Sequence, residues 1–352
     1  MSVLQKKIDN TRVISSESLV PSKIVHDEYP LTQEARDTVL QSREDISNIL
    51  HGKDKRVVVV VGPCSVHDVT AAIEYARKLK SISKKYSKTL LIVMRVYFEK
   101  PRTTVGWKGL INDPNLDNSF QINKGLRLAR KLLLDISGIG LPCATEFLDV
   151  IVPQYISDLI SWGAIGARTT ESQIHRELAS GLSCPIGFKN GTNGDIGISV
   201  DAVKASMSKH HFLGVTESGT TAIFETTGNH DVHIILRGGK LSPNYNEKFV
   251  SEADKFLKIG NLPRKLMIDC SHGNSYKDYR KQIIVVKNVC KQIFNNSKNV
   301  LGLMIESNLK EGSQSIDSDV LEYGKSVTDA CVGWEETERM LDEISNAVRA
   351  II

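Results

Sequence analysis

The residues best suited to chemistry in this chain stand directly or shortly after short apolar runs. One group combines a thiol, an imidazole and two carboxylates: Cys64, His272, Glu306 and Asp329. This mixture of soft and hard donors suits a divalent transition ion such as Mn, Fe, Co or Zn, without selecting one of them. Each residue alone has an ordinary structural alternative, such as a core histidine, but together they predict one metal site. A metal held there would act as a Lewis acid on a carbonyl oxygen.

A second group at the same kind of position is cationic. It consists of Arg95, Lys100, Arg168, Lys189 and Arg237. One solvated cation near a strand end needs no explanation, but five in one pocket repel each other unless anions neutralise them. Arginine binds phosphate and carboxylate through two parallel hydrogen bonds, and lysine adds a point charge. The pocket is therefore predicted to hold a substrate that carries several negative groups.

The apolar runs before these residues predict the elements that position them. The first is a run of five valines, 57–61, which ends at Gly62 and Pro63 and is typical of a strand buried on both faces. Seven further runs follow at residues 90–96, 142–147, 163–167, 185–188, 232–236, 266–269 and 300–305. Nearly all are separated by helical patterns, which predicts a parallel sheet.

Eight such strands favour an α/β fold of the (β/α)8 TIM-barrel type over an open doubly wound sheet, which stays the alternative because a sequence does not show closure. In such a barrel the active site lies at the carboxyl ends of the strands. Barrel closure would therefore bring both groups, and Glu146 after the third strand, to one face. We expect an N-terminal arm (residues 1–31, polar and irregular) and a helix within residues 1–52. The catalytic barrel would span residues 53–352, with a β-hairpin inserted at about 211–225.

Composition excludes several classes of protein. The 352 residues include 45 basic and 41 acidic side chains, a net charge of +4. No block of like charges occurs, so neither nucleic acid nor a membrane surface is indicated. With no long apolar run and no signal-peptide core, we expect a cytoplasmic protein. The six cysteines are dispersed, which favours reduced thiols.

Six segments together closely resemble the type I, amino-acid-regulated 3-deoxy-D-arabino-heptulosonate 7-phosphate (DAHP) synthases. They are Gly62-Pro63-Cys64-Ser65, Phe98-Glu99-Lys100-Pro101-Arg102-Thr103, Gly166-Ala167-Arg168-Thr169-Thr170-Glu171-Ser172, Gly187-Phe188-Lys189-Asn190-Gly191, Leu236-Arg237-Gly238-Gly239 and Asp269-Cys270-Ser271-His272-Gly273-Asn274. The resemblance runs from about residue 30 to the end. It implies the condensation of phosphoenolpyruvate with erythrose 4-phosphate, with release of phosphate, as the first step of the shikimate pathway to aromatic amino acids.

The resemblance also assigns roles to residues. It implies that the thiol–imidazole–carboxylate group holds the metal and that the five cations contact phosphoenolpyruvate. Erythrose 4-phosphate would contact Lys100, Pro101, Arg102 and Thr103. As a hypothesis, Lys100 protonates or hydrogen-bonds the developing alkoxide and Glu146 handles the water that adds at C2.

Feedback control by an aromatic amino acid is a further implication of the resemblance. Ser183, Phe212 and Gly214 fall where the effector would bind. The residues of the motifs are most like those of the tyrosine-sensitive branch. A homodimer or homotetramer is implied, with the N-terminal arm of a neighbouring subunit near the hairpin. Two alternatives stay open: a synthase that makes an octulosonate from arabinose 5-phosphate, and a non-catalytic sensor of phosphorylated metabolites.

Overall fold

A closed barrel of eight parallel strands forms the centre of the protein. The computed structural model describes residues 8–295, 297–318 and 320–352, so the first seven residues of the predicted arm lie outside the described residues. The barrel strands are β1 (Val57–Gly62), β2 (Leu90–Arg95), β3 (Cys143–Glu146), β4 (Trp162–Ile165), β5 (Ile186–Lys189), β8 (Val232–Leu236), β9 (Leu266–Asp269) and β10 (Val300–Glu306). An antiparallel hairpin, β6 (His211–Val215) and β7 (Thr221–Glu225), is inserted before β8.

The valine strand closes the barrel. β1 pairs in parallel with β2 on one side and with β10 on the other, which excludes the open doubly wound sheet and confirms the TIM barrel. Alternate valines face opposite ways, as the period of a strand requires. Val58 and Val60 join the apolar cluster inside the barrel, whereas Val57, Val59 and Val61 pack in the layer between strands and helices. Burial on both faces explains why this run is continuously β-branched.

Ten α-helices accompany the strands in the described part of the chain. They are α1 (Ser22–Glu28), α2 (Gln33–Leu50), α3 (Val69–Tyr86), α4 (Ile122–Gly138), α5 (Pro153–Ile156), α6 (Gln173–Gly181), α7 (Gly197–Ser206), α8 (Glu247–Ile259), α9 (Gln282–Phe294) and α10 (Trp334–Arg349). Asp68 caps α3 by accepting hydrogen bonds from the N–H groups of Thr70 and Ala71. No helix among these is long and apolar enough to cross a membrane.

Two of the helical patterns between the apolar runs form shorter helices than their lengths suggest. The pattern at 153–162 forms only α5 and a 3-10 turn at Ser157–Leu159, because β4 already begins at Trp162. In the pattern at 276–294 the α-helix begins at Gln282, because Tyr276 and Lys277 have left-handed backbones (φ 54° and 61°) that an α-helix excludes.

The prediction of an irregular arm is wrong for residues 22–28, which form α1. A helix this short gains its stability from contacts rather than propensity. Val25 is fully buried in the outer core, and Glu28 accepts two hydrogen bonds from Arg127 on α4. The following helix, α2, adds Ile46 and Ile49 to the cluster inside the barrel. It therefore packs over the end of the barrel where the strands begin.

Candidate active site

A cleft of about 290 Å³ lies where the barrel strands end. Most of the predicted site residues line it: Lys100, Pro101, Arg102, Thr103, Glu146, Arg168, Lys189, Arg237, His272 and Asp329. Cys64, Arg95 and Glu306 are almost fully buried. The barrel thus brings together residues that are far apart in the sequence.

Three of the four predicted metal ligands converge. One ligand atom each of Cys64, Glu306 and Asp329 lies within 4.8 Å of the other two. Cys64 follows β1 by two residues, and Glu306 ends β10 in register with Gly62, so the pairing of the first and last strands sets their distance. His272 stands slightly apart, with its Nε2 atom 3.8 Å from Oε1 of Glu306.

His272 occupies an unusual backbone conformation. Its φ of 51° is left-handed, which is uncommon for a residue with a side chain and costs about 1 kcal/mol or more. Lys277 N–H donates to the His272 carbonyl at 2.7 Å. The ring Nδ1 lies 2.7 Å from Oγ of Ser271 and 2.9 Å from Oδ2 of Asp269. These contacts hold the imidazole in place and explain how the strained conformation persists.

The surroundings of Cys64 suit a bound cation. Burial raises the pKa of the Cys64 thiol, and the nearby Glu306 carboxylate raises it further, so a counter-charge is needed for the thiolate. Lys100 Nζ lies 3.0 Å from Sγ. Burial lowers the pKa of Lys100, but Cys64 and Glu306 outweigh burial and keep that pKa above its ordinary value. The buried thiol of Cys64 and the buried carboxylate of Glu306, beside the exposed carboxylate of Asp329, fit a divalent metal ion.

The cationic side carries donors that no protein group satisfies. Arg95 is fully buried, lies 4.0 Å from the ring centre of Tyr97, and donates to Glu306 at 3.2 Å. Its Nη1 and the Nε of Arg237 are buried without a hydrogen-bond partner in the described part of the chain. Burial lowers the pKa of Arg237, and the positive charge of Arg168 also lowers it. Because buried unpaired donors are costly, they point to an anionic ligand.

Acidic groups hold Lys189 between them. Its Nζ lies 3.3 Å from Oε2 of Glu146 and 3.7 Å from Oδ2 of Asp269. Burial raises the pKa of Glu146, but Lys189 and Lys100 outweigh it and keep the carboxyl below its ordinary value. Gly166 leaves the space for this carboxylate, because a Cβ there would lie 2.3 Å from Oε1 of Glu146.

Three asparagines that received no role from the sequence link the ends of β5, β8 and β9. We call Asn190, Asn244 and Asn274 the asparagine cluster; all three are buried. Asn190 Oδ1 accepts from the Arg237 N–H at 2.7 Å, and Asn244 Oδ1 accepts from Gly238 N–H. Asn274 Oδ1 accepts from Asn244 N–H, and its amide donates to the Asp269 carbonyl. Asn190 and Asn274 lie within two of the segments that resemble the family, whereas Asn244 lies in none of them.

The β2, β3 and β4 side of the cleft is more open. Arg168 donates to Oγ1 of Thr103 at 2.8 Å, and both residues are exposed. Deeper, the Asp149 N–H donates to Oε1 of Glu99 at 3.2 Å. Burial raises the pKa of Glu99 to about 8, and Asp149 contributes to the shift. Like the three asparagines, Glu99 received no role from the sequence.

A larger cleft, of about 540 Å³, lies at the opposite end of the barrel. Its cations are Lys53, Lys55, Arg56 and Lys88. The three lysines are exposed, and Arg56 is paired with Asp45 and Asp54. Within the described residues, none of these cations has a buried donor that lacks a partner. Size and positive charge alone therefore do not make this cleft the site.

The three predicted effector residues lie near the hairpin, at the end of the barrel where β8 begins. Phe212 stacks on Phe224 across the hairpin, with ring centres 5.9 Å apart. Gly214 lies beside the same ring, because a Cβ there would be 2.8 Å from Phe224. Ser183 is exposed in the loop after α6. Ser180, near the end of α6, is hydrogen-bonded to Thr226, the residue after the hairpin.

Known proteins resemble the chain along nearly its whole length. The Phe-sensitive phospho-2-dehydro-3-deoxyheptonate aldolase of Escherichia coli (strain K12) is 57% identical over 343 residues, which is 97% of this chain and 98% of the relative. The tyrosine-inhibited enzyme of Schizosaccharomyces pombe is 51% identical over 351 residues, which is 98% of this chain and 94% of the relative. These two names differ in the amino acid, so tyrosine as the effector stays a prediction.

A solved structure agrees with the fold. The phospho-2-dehydro-3-deoxyheptonate aldolase from Francisella tularensis SCHU S4 has a TM-score of 0.95 and 58% identity, covering 96% of this chain and 99% of that one. The family model described as the DAHP synthetase I family matches residues 28–342. The barrel, the close relatives and this match confirm what the motifs predicted: the protein belongs to the DAHP synthetase I family.

Proposed function

We propose that the protein condenses phosphoenolpyruvate with erythrose 4-phosphate and releases phosphate, in a reaction that depends on one divalent metal ion. The observation that carries the proposal is the side-by-side arrangement in one cleft of buried, unpartnered cationic donors and a thiol–carboxylate group. The first suits a phosphorylated carboxylate and the second suits a metal. Membership of the family supports the same reaction.

Phosphoenolpyruvate would bind to the five cations. Arg95 and Arg237 have the unpaired buried donors, and Lys189 is already oriented by Glu146. Lys100 and Arg168 complete the set, at the cleft's other side. The loop from Lys100 through Pro101 and Arg102 to Thr103 would hold erythrose 4-phosphate, with its aldehyde toward the metal site.

Cys64, His272, Glu306 and Asp329 would hold the metal ion. When bound, the ion supplies Lewis-acid polarisation of the aldehyde carbonyl. Burial raises the pKa of Asp329, but Lys100 and His272 outweigh it and keep the carboxyl below its ordinary value, so it is an ionised ligand at neutral pH. Mn, Fe, Co and Zn all remain compatible with these donors.

Lys100 and Glu146 are the proposed catalytic residues. C3 of phosphoenolpyruvate attacks the aldehyde carbon, and the Lys100 ammonium donates a hydrogen bond or proton to the developing alkoxide. Water then adds at C2, and phosphate leaves by C–O cleavage. The Glu146 carboxylate, which is kept ionised by its two lysine neighbours, accepts a hydrogen bond from that water and orients it.

Phosphate release tests the reaction. Protein, Mn²⁺ and phosphoenolpyruvate are incubated with erythrose 4-phosphate or with arabinose 5-phosphate. Phosphate release with erythrose 4-phosphate, and none with arabinose 5-phosphate, supports the proposal. Release only with arabinose 5-phosphate would support the octulosonate synthase, and tight binding without release would support the sensor. Cys64→Ala should abolish metal-dependent release, and a fully active variant would rule out the metal assignment.

We also propose control by an aromatic amino acid, with tyrosine favoured, at Ser183, Phe212 and Gly214. The hairpin and residues 1–52 would contribute to contacts in a homodimer or homotetramer. Thermal-shift titration with tyrosine, phenylalanine and tryptophan identifies the effector as the one that raises the melting temperature. No shift with any of them would contradict this part of the proposal.

A further inference from the structure

We propose that Gln282 is a positioning residue for the metal site, because its carboxamide fixes the backbone of Glu306. The inference rests on the metal site proposed above. Gln282 is the first residue of α9 and is fully buried. Its Nε2 donates to the Glu306 carbonyl at 2.9 Å, and the Glu306 N–H donates to its Oε1 at 2.9 Å. The side chain therefore binds the backbone of a predicted metal ligand at two points.

The backbone of Glu306 depends on this clamp because the neighbouring strand has already ended. β9 pairs with β10 only as far as Asp269 opposite Met304, and the Cys270 N–H then donates to the Met304 carbonyl. Beyond this point the chain turns into the loop that carries His272. The Glu306 carbonyl also accepts a hydrogen bond from the Val332 N–H. In the described part of the chain, the Glu306 N–H donates to the Gln282 side chain.

The other edge of β10 is fixed by β1. Gly62 pairs in register with Glu306, and the Ser307 N–H donates to the Gly62 carbonyl at 2.9 Å. Glu306 is thus held between β1 and Gln282. Its carboxylate, 3.2 Å from Arg95 and grouped with Cys64, keeps its place only while both edges hold. Groups that orient a metal ligand in this way typically change metal affinity 10–100-fold when they are removed.

Cobalt binding tests this role without relying on activity. Metal-free protein is titrated with Co²⁺, and the absorption from thiolate-to-cobalt charge transfer reports binding at Cys64. Gln282→Met keeps the length of the side chain but removes both hydrogen bonds. We expect it to raise the Co²⁺ dissociation constant about 10–100-fold and to change the absorption spectrum.

Gln292 provides a matched control on the same helix. It is also buried, and its amide donates to a backbone carbonyl, that of Tyr245, at 2.8 Å. Gln292→Met should lower the melting temperature while Co²⁺ affinity and spectrum stay as in the wild type. A common loss of affinity in both variants would overturn the specific role of Gln282 in favour of general destabilisation.

The outcomes separate this inference from the metal proposal. If the wild type binds Co²⁺ with the thiolate band and Gln282→Met binds it equally tightly, the inference alone is overturned. If the wild type shows no such band, or if Cys64→Ala retains it, the metal site itself is wrong. Should Gln282→Met not fold, Gln282→Leu is the second variant, since it also lacks both the donor to the Glu306 carbonyl and the acceptor for the Glu306 N–H. It too should weaken Co²⁺ binding, and unchanged affinity would overturn the inference.

Discussion

The two halves of the barrel mouth are held together by different kinds of contact. At the ends of β5, β8, β9 and β10, the neutral carboxamides of the asparagine cluster and of Gln282 join neighbouring segments in the buried interior. At the ends of β2, β3 and β4, the links are the ionisable Glu99 and the exposed pair Arg168–Thr103.

This difference matches the proposed roles of the halves. The carboxamide half carries Lys189 and Arg237, two of the five proposed phosphoenolpyruvate contacts, and two proposed metal ligands, which must be placed within a fraction of an ångström. The other half would admit erythrose 4-phosphate through exposed residues that have few buried contacts, and such segments move most easily. Three predictions test this division.

The largest effect is expected from Arg237→Met in the carboxamide half. Losing a charge-assisted contact with phosphoenolpyruvate should lower kcat/KM by about 10²–10³-fold. The melting temperature should stay as in the wild type, because the buried Nε of Arg237 has no hydrogen-bond partner to lose in the described part of the chain. Lys55→Met, in the larger cleft at the other end, removes an exposed cation and should leave kcat/KM unchanged. Equal losses in both variants would show that only net charge matters.

A smaller effect is expected from Asn190→Ala. The change leaves the Arg237 N–H and an Asn244 amide hydrogen without their acceptor, which costs about 3 kcal/mol of unfolding free energy. The freed Arg237 backbone should raise KM for phosphoenolpyruvate about tenfold. Asn229→Ala is the control, since this buried asparagine also makes several backbone hydrogen bonds but lies where β8 begins. Asn229→Ala should lower the unfolding free energy, measured by urea unfolding, by a similar amount. It should leave KM for phosphoenolpyruvate unchanged.

The smallest effect, when counted for each pH unit, is a pH dependence in the other half. Because burial raises the pKa of Glu99 from 4.5 to about 8, the folded protein keeps a proton that the unfolded chain loses between these values. The unfolding free energy therefore falls as pH rises through this range, by up to about 1.4 kcal/mol per pH unit. Glu99→Gln is neutral throughout and keeps an acceptor for Asp149. Urea unfolding at pH 5.5, 6.5 and 7.5 should show a flatter dependence for the variant, and parallel curves would contradict the shifted pKa.

The sequence predicted the parts of the molecule that depend on local pattern. The valine run and the seven later runs predicted the barrel strands because apolar content and length are properties of one segment. Helix α1 escaped prediction because contacts with Arg127 and the outer core stabilise it, and no local pattern encodes them.

The candidate site divides in the same way. Cys64, Glu306 and Asp329 were proposed as ligands because a thiol and carboxylates at or after strand ends suit a metal, and the structure brings them together. Asparagine and glutamine carry no such signal, since they are common in turns and on surfaces. The proposed roles of Asn190 and Gln282 follow only from their burial and from the backbone groups that they contact.

The pairing of β1 with β10 also sets the order of events during synthesis. Gly62 emerges from the ribosome early, and its partner Glu306 emerges only when most of the chain has been made. A contact between such distant segments forms late, because the long intervening chain must be ordered first. Closing the barrel and bringing Cys64 beside Glu306 are therefore one event. An incomplete chain would hold the thiol without its carboxylate partners, so metal capture at the proposed site would mark a finished barrel.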